Sequence, residues 1–152
     1  MRPRPNNLNI YLSRSSDDGR SFSAPNKVND DKDGPEHRFP TVASGLGGRI
    51  HVAWLDKRKS SELRSNFCRV YCTTSEDNGR TFAPNLDATD GQEGPICHCC
   101  RVALAVSRNQ IFIAFRNDID DLRDIFLVHS PDGMSPFSKP IAMENTGWYV
   151  PT

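Results

Sequence analysis

The chain carries an eight-residue motif twice, sixty residues apart, and this repeat constrains the fold more than any other feature. The copies at 15–22 and 75–82 both read S-x-D-x-G-R-[ST]-F. A less complete third copy begins at Ser130, includes Asp132 and has Phe137 as its aromatic residue. A fixed period of this length is typical of architectures in which one supersecondary unit stacks repeatedly against its neighbours.

Each copy of the motif predicts a tight turn between two β-strands. The Ser and Asp side chains can hydrogen-bond to backbone groups of the following residues, and the Gly supplies the positive φ that such a turn requires. We expect the aromatic residue to fold back under the turn and anchor it. The residues with this structural role are Ser15, Asp17, Gly19, Phe22, Ser75, Asp77, Gly79, Phe82, Ser130 and Asp132.

The sequence between the turns repeats with nearly the same period. A Gly-Pro pair recurs at 34–35 and 94–95, and a long apolar segment recurs at 50–54 and 111–115. Each full unit is therefore predicted to hold four antiparallel strands, the fourth ending near Pro84 or Pro140, which is the pattern of a propeller blade.

The predicted fold is all-β, a partial β-propeller of about two and a half four-stranded antiparallel blades in a single domain, 1–152. It divides into a half blade at 8–28, blades at 34–89 and 94–142, and a tail at 143–152.

Charge and hydropathy narrow the range of partners. The chain has 19 basic and 19 acidic residues, and this balance gives no electrostatic reason to expect nucleic acid as a partner. No run of eighteen apolar residues is present, so no membrane span is expected. The first residues lack the apolar stretch of a signal peptide.

Two and a half blades would leave sheet edges open, and we expect these edges to support a homo-oligomer.

The motifs resemble the Asp-box (bacterial neuraminidase) repeats of sialidase-like six-bladed propellers. The segments 34–43, 50–58 and 97–101 more closely resemble bacterial sialidase-like exported proteins of uncertain activity, and the resemblance covers nearly the whole chain. It implies that the Asp-box turns lie on the face away from the active site. It also implies an active site with three arginines for the substrate carboxylate, a Tyr–Glu nucleophile pair and an Asp acid/base.

Carried over residue by residue, the resemblance leaves the chemistry incomplete. Arg38 stands where the family has its first arginine, and Arg58 resembles the arginine after the second strand. The loop 59–67 should hold the acid/base Asp, but Glu62 is its only acidic residue. No catalytic residue is therefore assigned, with Arg38, Arg58 and Glu62 as candidates. An alternative for Arg38 is a structural pairing with Glu36 or Asp56. The candidate ligand-binding residues are Arg38, Arg58, His37, Arg101 and Arg116.

Three functions remain open. The first is a sialidase-like propeller, non-catalytic alone, that binds a glycan or another small anion. The second is an exo-sialidase-type glycoside hydrolase completed by oligomerisation. The third is a structural or protein-interaction module.

The five cysteines are the second unusual feature. Cys97, Cys99 and Cys100 surround His98, and this density of thiol and imidazole groups suits a soft metal such as Zn or Cu. The alternative is a disulfide between neighbouring strands together with free thiols. Cys68 and Cys72 stand four residues apart on a predicted strand, which is too far for a disulfide to each other. No other cofactor is expected.

Overall fold

The computed structural model describes residues 8–32, 36–59, 68–92, 94–119 and 123–143. These ranges contain ten strands and one short 3₁₀ turn, Leu46–Gly48. The strands are β1 (Tyr11–Leu12), β2 (Asn26–Lys27), β3 (His37–Ser44), β4 (Ile50–Asp56), β5 (Arg69–Ser75), β6 (Leu86–Asp87), β7 (Ala103–Ser107), β8 (Gln110–Arg116), β9 (Ile125–Ser130) and β10 (Ile141–Ala142). None of the helical structure in these ranges has the length and apolar character that crossing a bilayer requires.

The strands form three antiparallel sheets. We call the pair β1–β2 the first blade, the sheet β3-β4-β5-β6 the second blade, and the sheet β7-β8-β9-β10 the third blade. In the two larger sheets each strand pairs with the next one along the chain. The all-β, partial β-propeller prediction is confirmed.

In each larger blade the first strand lies beside the neighbouring blade, and the fourth strand is short. β3 and β7 contact each other, so the two sheets approach one another along their first strands. The fourth strands, β6 and β10, contain two residues each. They begin after Pro84 and Pro140 rather than ending near them, because proline cannot donate a hydrogen bond to the ladder.

Burial along the strands shows which sheets are covered on both faces. In β4 and β5 every residue after the first is buried, which requires a neighbouring layer on each side. In β8 buried residues alternate with partly exposed ones, so only one of its faces is covered. The second blade is therefore the central layer of the described structure.

Two apolar clusters hold the three blades together. Val52, Trp54 and Tyr71 of the second blade pack against Ile10 and Val28 of the first. The other face of the second blade packs against the third blade. That larger cluster consists of Ala53, Leu55, Cys68, Val70, Cys72, Ala88, Ile96, Val102, Ile111, Ile113, Phe115 and Val128. Successive residues of β4 thus point into different clusters, as the period of a strand dictates.

The three Ser–Asp turns share one hydrogen-bond scheme. In the second turn Ser75 Oγ accepts from the N–H of Gly79 at 2.7 Å, and Asp77 Oδ1 accepts from the N–H of Thr81 at 2.8 Å. The first and third turns repeat both bonds with their own Ser, Asp and Gly. The glycines have φ values of +82°, +77° and +70°, as the turn requires.

The aromatic residue of the motif does not anchor the turn in every copy. Phe82 and Phe137 pack against the two interblade clusters. Phe22 is 67% exposed, so the expectation that it folds back under its turn is wrong. The physical reason is that the second and third aromatics reach the cluster shared with the preceding blade, and the described residues provide no blade before the first turn.

The later turns also join neighbouring blades through hydrogen bonds. Asn26 of the first blade donates to the backbone oxygen of Arg80 at 2.8 Å. Thr74 of the second blade donates to the backbone oxygen of Gly133 at 3.1 Å. Each turn is therefore part of an interblade contact as well as a connection between two strands of one blade.

Candidate functional site

Strand register places the candidate residues at one end of the blades. His37 is paired with Asp56, and Asp56 with Arg69, whereas Ile50 at the other end of β4 is paired with Ser75. In the third blade the N–H of Cys97 donates to the carbonyl of Arg116, where β8 ends. We call the end formed by 36–38, 56–59, 97–101 and 116–118 the upper end. It lies opposite the Ser–Asp turns.

A buried histidine lies between two carboxylates at the upper end. His37 Nε2 lies 3.2 Å from Asp31 Oδ1 and 3.3 Å from Asp56 Oδ2. Its Nδ1–H donates to the carbonyl of Leu8 at 2.8 Å. Trp54 Nε1 donates to Asp56 Oδ2 at 2.8 Å. Because Nδ1 donates and Nε2 faces two acids, the ring is suited to the doubly protonated, cationic form.

The titration behaviour of this group follows from its surroundings. Burial opposes the charged form of His37, but the contact with Asp56 and the negative charges of Asp56 and Asp31 together raise its pKa. Burial also opposes the charge on Asp56. The contacts with His37 and Arg58 outweigh that effect and lower the pKa of Asp56 to about 2. His37 and Asp56 therefore stabilise each other as an ion pair.

Arg58 is engaged by acidic groups of two blades. Its Nη2 donates to Asp56 Oδ2 at 2.8 Å and its Nη1 to Asp30 Oδ1 at 2.8 Å. Its guanidinium carbon lies 4.0 Å from the ring centroid of Tyr71. Asp30 also accepts from the N–H of Asn85 at 2.9 Å. Arg58 thus joins the first and second blades.

Two of the acidic partners of Arg58 and His37, Asp30 and Asp31, could not be predicted from the sequence. Asp30 and Asp31 lie on the segment after β2, nearly thirty residues before Arg58, and no motif or spacing links them to it. The run of acidic residues after Val28 was the only signal.

Arg38 is held differently, beside a bulge in β3. The pairing of β3 with β4 shifts register between Arg38 and Thr41, and Phe39 has a φ of +51°. A positive φ is a genuine outlier for a bulky residue. Arg38 Nε contacts Glu36 Oε1, and this contact lowers the pKa of Glu36. Glu36, and not Asp56, is therefore the partner of Arg38 among the two acids considered from the sequence.

Arg101 approaches the same bulge from the third blade. Its guanidinium carbon lies 5.6 Å from the ring centroid of Phe39, and the residue is exposed. Arg38, the residue before Phe39, has 35% of its side chain exposed. Both arginines therefore lie where the first strands of two blades approach each other. Bulges frequently redirect side chains beside functional sites.

Three cysteines converge on the loop before β7. Cys97 Sγ lies 3.1 Å from Cys99 Sγ and 3.0 Å from Cys100 Sγ, and the remaining sulfur pair is 3.9 Å apart. All five cysteines are free thiols, and Cys68 and Cys72 are buried elsewhere. Among the described residues the three sulfurs form a metal-compatible group, and His98 is not part of it.

The thiols of this group differ in acidity. Burial favours the neutral form of Cys97, but the contacts with Cys100 and Cys99 and the charge of Arg123 lower its pKa. The same contact with Cys97 raises the pKa of Cys99 to about 11. Cys97 is therefore the first of this pair to ionise.

Arg116 and Glu62 are the remaining candidates from the sequence. Arg116 Nε donates to the carbonyl of Arg123, and its Nη1 lies 3.7 Å from Cys100 Sγ. Arg123 pairs with Asp118 at 3.2 Å. Glu62, the stand-in for an acid/base, lies outside the described residues.

Comparison with known proteins shows the fold. No protein-family profile matches the chain, and no curated protein matches it. One similar structure is Zg3597, a family 117 glycoside hydrolase from the marine bacterium Zobellia galactanivorans, with 14% identity over 88% of this chain and a TM-score of 0.60. Another is Trypanosoma rangeli sialidase, with 16% identity over 92% of this chain and a TM-score of 0.51.

The chain spans 41% and 24% of those two structures. At this identity the likeness concerns the fold alone, and the fold is that of a partial sialidase-like β-propeller.

Proposed function

We propose that this chain is part of a sialidase-like propeller of the Asp-box class whose upper end binds a glycan or another small anionic ligand through Arg38 and Arg101. The proposal includes no catalysis by this chain alone. The Ser–Asp turns are the proposed Asp-box repeats. The observation that carries the proposal is the bulge at Phe39, where Arg101 of the third blade lies over the ring of the residue that directly follows Arg38.

The two arginines can exchange their present contacts for a ligand. A partly exposed Arg–Glu pair contributes only about 0–1 kcal/mol, so a ligand carboxylate can displace Glu36 from Arg38 at little cost. Arg101 is exposed, and its guanidinium carbon lies 5.6 Å from the centroid of the Phe39 ring. A planar guanidinium fork is suited to bidentate recognition of a carboxylate.

Arg58 is given a different role. Its side chain is 19% exposed, and Asp56 beside it is fully buried. Asp56 has cationic contacts with Arg58 and His37. Removing Arg58 would take one of these contacts from a fully buried carboxylate, which is costly. We therefore assign Arg58 to the interblade structure, and Arg38 and Arg101 to the ligand.

The test is a titration of the chain with free sialic acid, followed by two-dimensional amide NMR, with neutral N-acetylglucosamine as the control for charge. Each of Arg38→Ala and Arg101→Ala should weaken sialic acid binding about tenfold or more, because a hydrogen bond to a charged group contributes about 1.5–3 kcal/mol. Arg20→Ala, in the first Ser–Asp turn at the opposite end, should bind as the unaltered chain does.

A second assay, together with the titration, separates the alternatives. Hydrolysis of a fluorogenic sialoside that rises more steeply than the protein concentration would instead favour a glycosidase completed by oligomerisation. Binding that neither substitution changes would contradict the assignment of Arg38 and Arg101. An absence of binding to both sugars would favour a structural module.

A further inference from the structure

The three-cysteine group brings its sulfur atoms to one point through local backbone geometry. Residues 98–100 form a turn between the isolated bridge at Ile96 and the start of β7. The N–H of Cys97 is fixed by the carbonyl of Arg116 at 2.9 Å. The turn therefore directs three thiols, from a stretch of only four residues, toward the same volume.

We propose that Cys97, Cys99 and Cys100 form a three-thiolate site for the soft monovalent ion Cu(I). The site is separate from the proposed sugar-binding arginines, although Arg101 follows it directly in the sequence. Thiolate ligands select soft ions, whereas hard cations such as Mg²⁺ and Ca²⁺ require oxygen ligands.

The spacing of the sulfurs fits a central ion. A point equidistant from the three sulfur atoms lies about 2.0 Å from each of them, and a metal–thiolate bond is about 2.3 Å long. Each sulfur would therefore move outward by about 0.3 Å when the ion binds. A disulfide, by contrast, requires two of these sulfurs to close to about 2.05 Å.

The number of donors favours Cu(I) over Zn²⁺. Structural zinc sites are four-coordinate and tetrahedral. Among the described residues this group offers three donor atoms that lie within 4.8 Å of one another, and the His98 ring is not among them. A three-coordinate soft ion is satisfied by these sulfurs alone.

Neighbouring charge and burial complete the site. Three thiolates around one Cu(I) carry two negative charges, and Arg116 Nη1 already lies 3.7 Å from Cys100 Sγ. Cys97 is buried, Cys100 is half-buried and Cys99 is exposed. The bound ion would be shielded on one side and reachable on the other.

The experiment is an anaerobic Cu(I) titration of the reduced full chain against a chromophoric Cu(I) chelator, with ultraviolet thiolate-to-copper absorption as a second readout. We expect one Cu(I) per chain and displacement of added Zn²⁺ by Cu(I). Cys97→Ser, Cys99→Ser and Cys100→Ser should each lower the affinity more than about tenfold, corresponding to about 1.4 kcal/mol.

His98→Ala is the matched control, because it alters the same turn without removing a sulfur, and its Cu(I) affinity should stay unchanged. Far-ultraviolet circular dichroism confirms that each variant is folded. The proposal is overturned if the three serine variants keep full affinity, if Zn²⁺ resists displacement by Cu(I), or if the reduced chain binds no Cu(I). A loss of affinity in His98→Ala equal to that of the serine variants would likewise exclude the three-sulfur site.

Discussion

The pKa values of the two buried histidines, His37 and His51, are shifted in opposite directions. The pKa of His37 is raised by its carboxylate neighbours, so its contribution to stability is complete below the unfolded pKa of about 6.5 and is lost as pH rises through the folded pKa. Burial lowers the pKa of His51. Its effect on stability is therefore unfavourable at low pH and disappears as pH rises toward about 6.5.

We predict that the free energy of unfolding, measured by urea denaturation, is greatest near a pH of about 6.5 and declines toward alkaline pH. In His37→Gln the decline between about pH 6.5 and about pH 8 should disappear while the loss of stability at acidic pH remains. The decline above about pH 9 should persist in this variant, because burial raises the pKa of the Cys68 and Cys72 thiols in the folded chain. A decline of unchanged size between about pH 6.5 and about pH 8 would show that another group is responsible.

The arginines show how far sequence reasoning reaches at the residue scale. The resemblance selected both Arg38 and Arg58, and strand register places both at the upper end. The pairing of Arg38 with Glu36 was among the alternatives that the sequence offered. The pairing of Arg58 with Asp30 could not be predicted, because Asp30 approaches Arg58 only after two blades have packed together. The contact of Arg101 with Phe39 depends in turn on the packing of the second blade against the third.

At the scale of an element, equivalent glycines in the three Ser–Asp turns have different surroundings. A Cβ atom added at Gly133 would lie 2.0 Å from Ile111 Cδ1 and 2.7 Å from Thr74 Oγ1, whereas one added at Gly19 meets nothing within 4 Å. Ile111 is fully buried and has little room to move.

We therefore predict that Gly19→Ala costs about 1–2 kcal/mol, because only the positive φ is strained. Gly133→Ala should cost about 1–3 kcal/mol more, because it also overpacks an interblade contact. Thermal or chemical denaturation of the two variants measures the difference. Equal losses in the two variants would mean that the third turn adapts to the added methyl group.

The strands could be predicted from the sequence where they are long and apolar. The long apolar segments correspond to β4 and β8, and the three turns are in the expected places. The brief outer strands β6 and β10 were misplaced, since two residues are too short to show an alternation. The exposure of Phe22 was also missed, because it depends on the neighbouring blade rather than on the motif.

At the scale of the molecule, the third blade has one face that the described residues do not cover. Phe112, Ala114 and Leu127 share this face through their register and are partly exposed. A half-covered sheet with open edges is suited to pairing with a second copy of the chain.

We predict that the chain self-associates, with a solution mass by light scattering above the 17.0 kDa of one copy. Phe112→Glu should shift the mass toward that of one copy. Leu46→Glu, at the exposed 3₁₀ turn, should not change it. A single-copy mass for the unaltered chain would contradict the prediction.

The two-sided burial of β4 and β5 has a consequence for local unfolding, in which backbone amides become exposed to solvent. Exposing an amide of β5 to solvent requires separation from a neighbouring sheet, and the central blade has such a sheet on each side. The third blade can detach by giving up one apolar cluster alone. We therefore expect local unfolding to begin in the first and third blades. The amides of the second blade should exchange with solvent only when the whole structure unfolds.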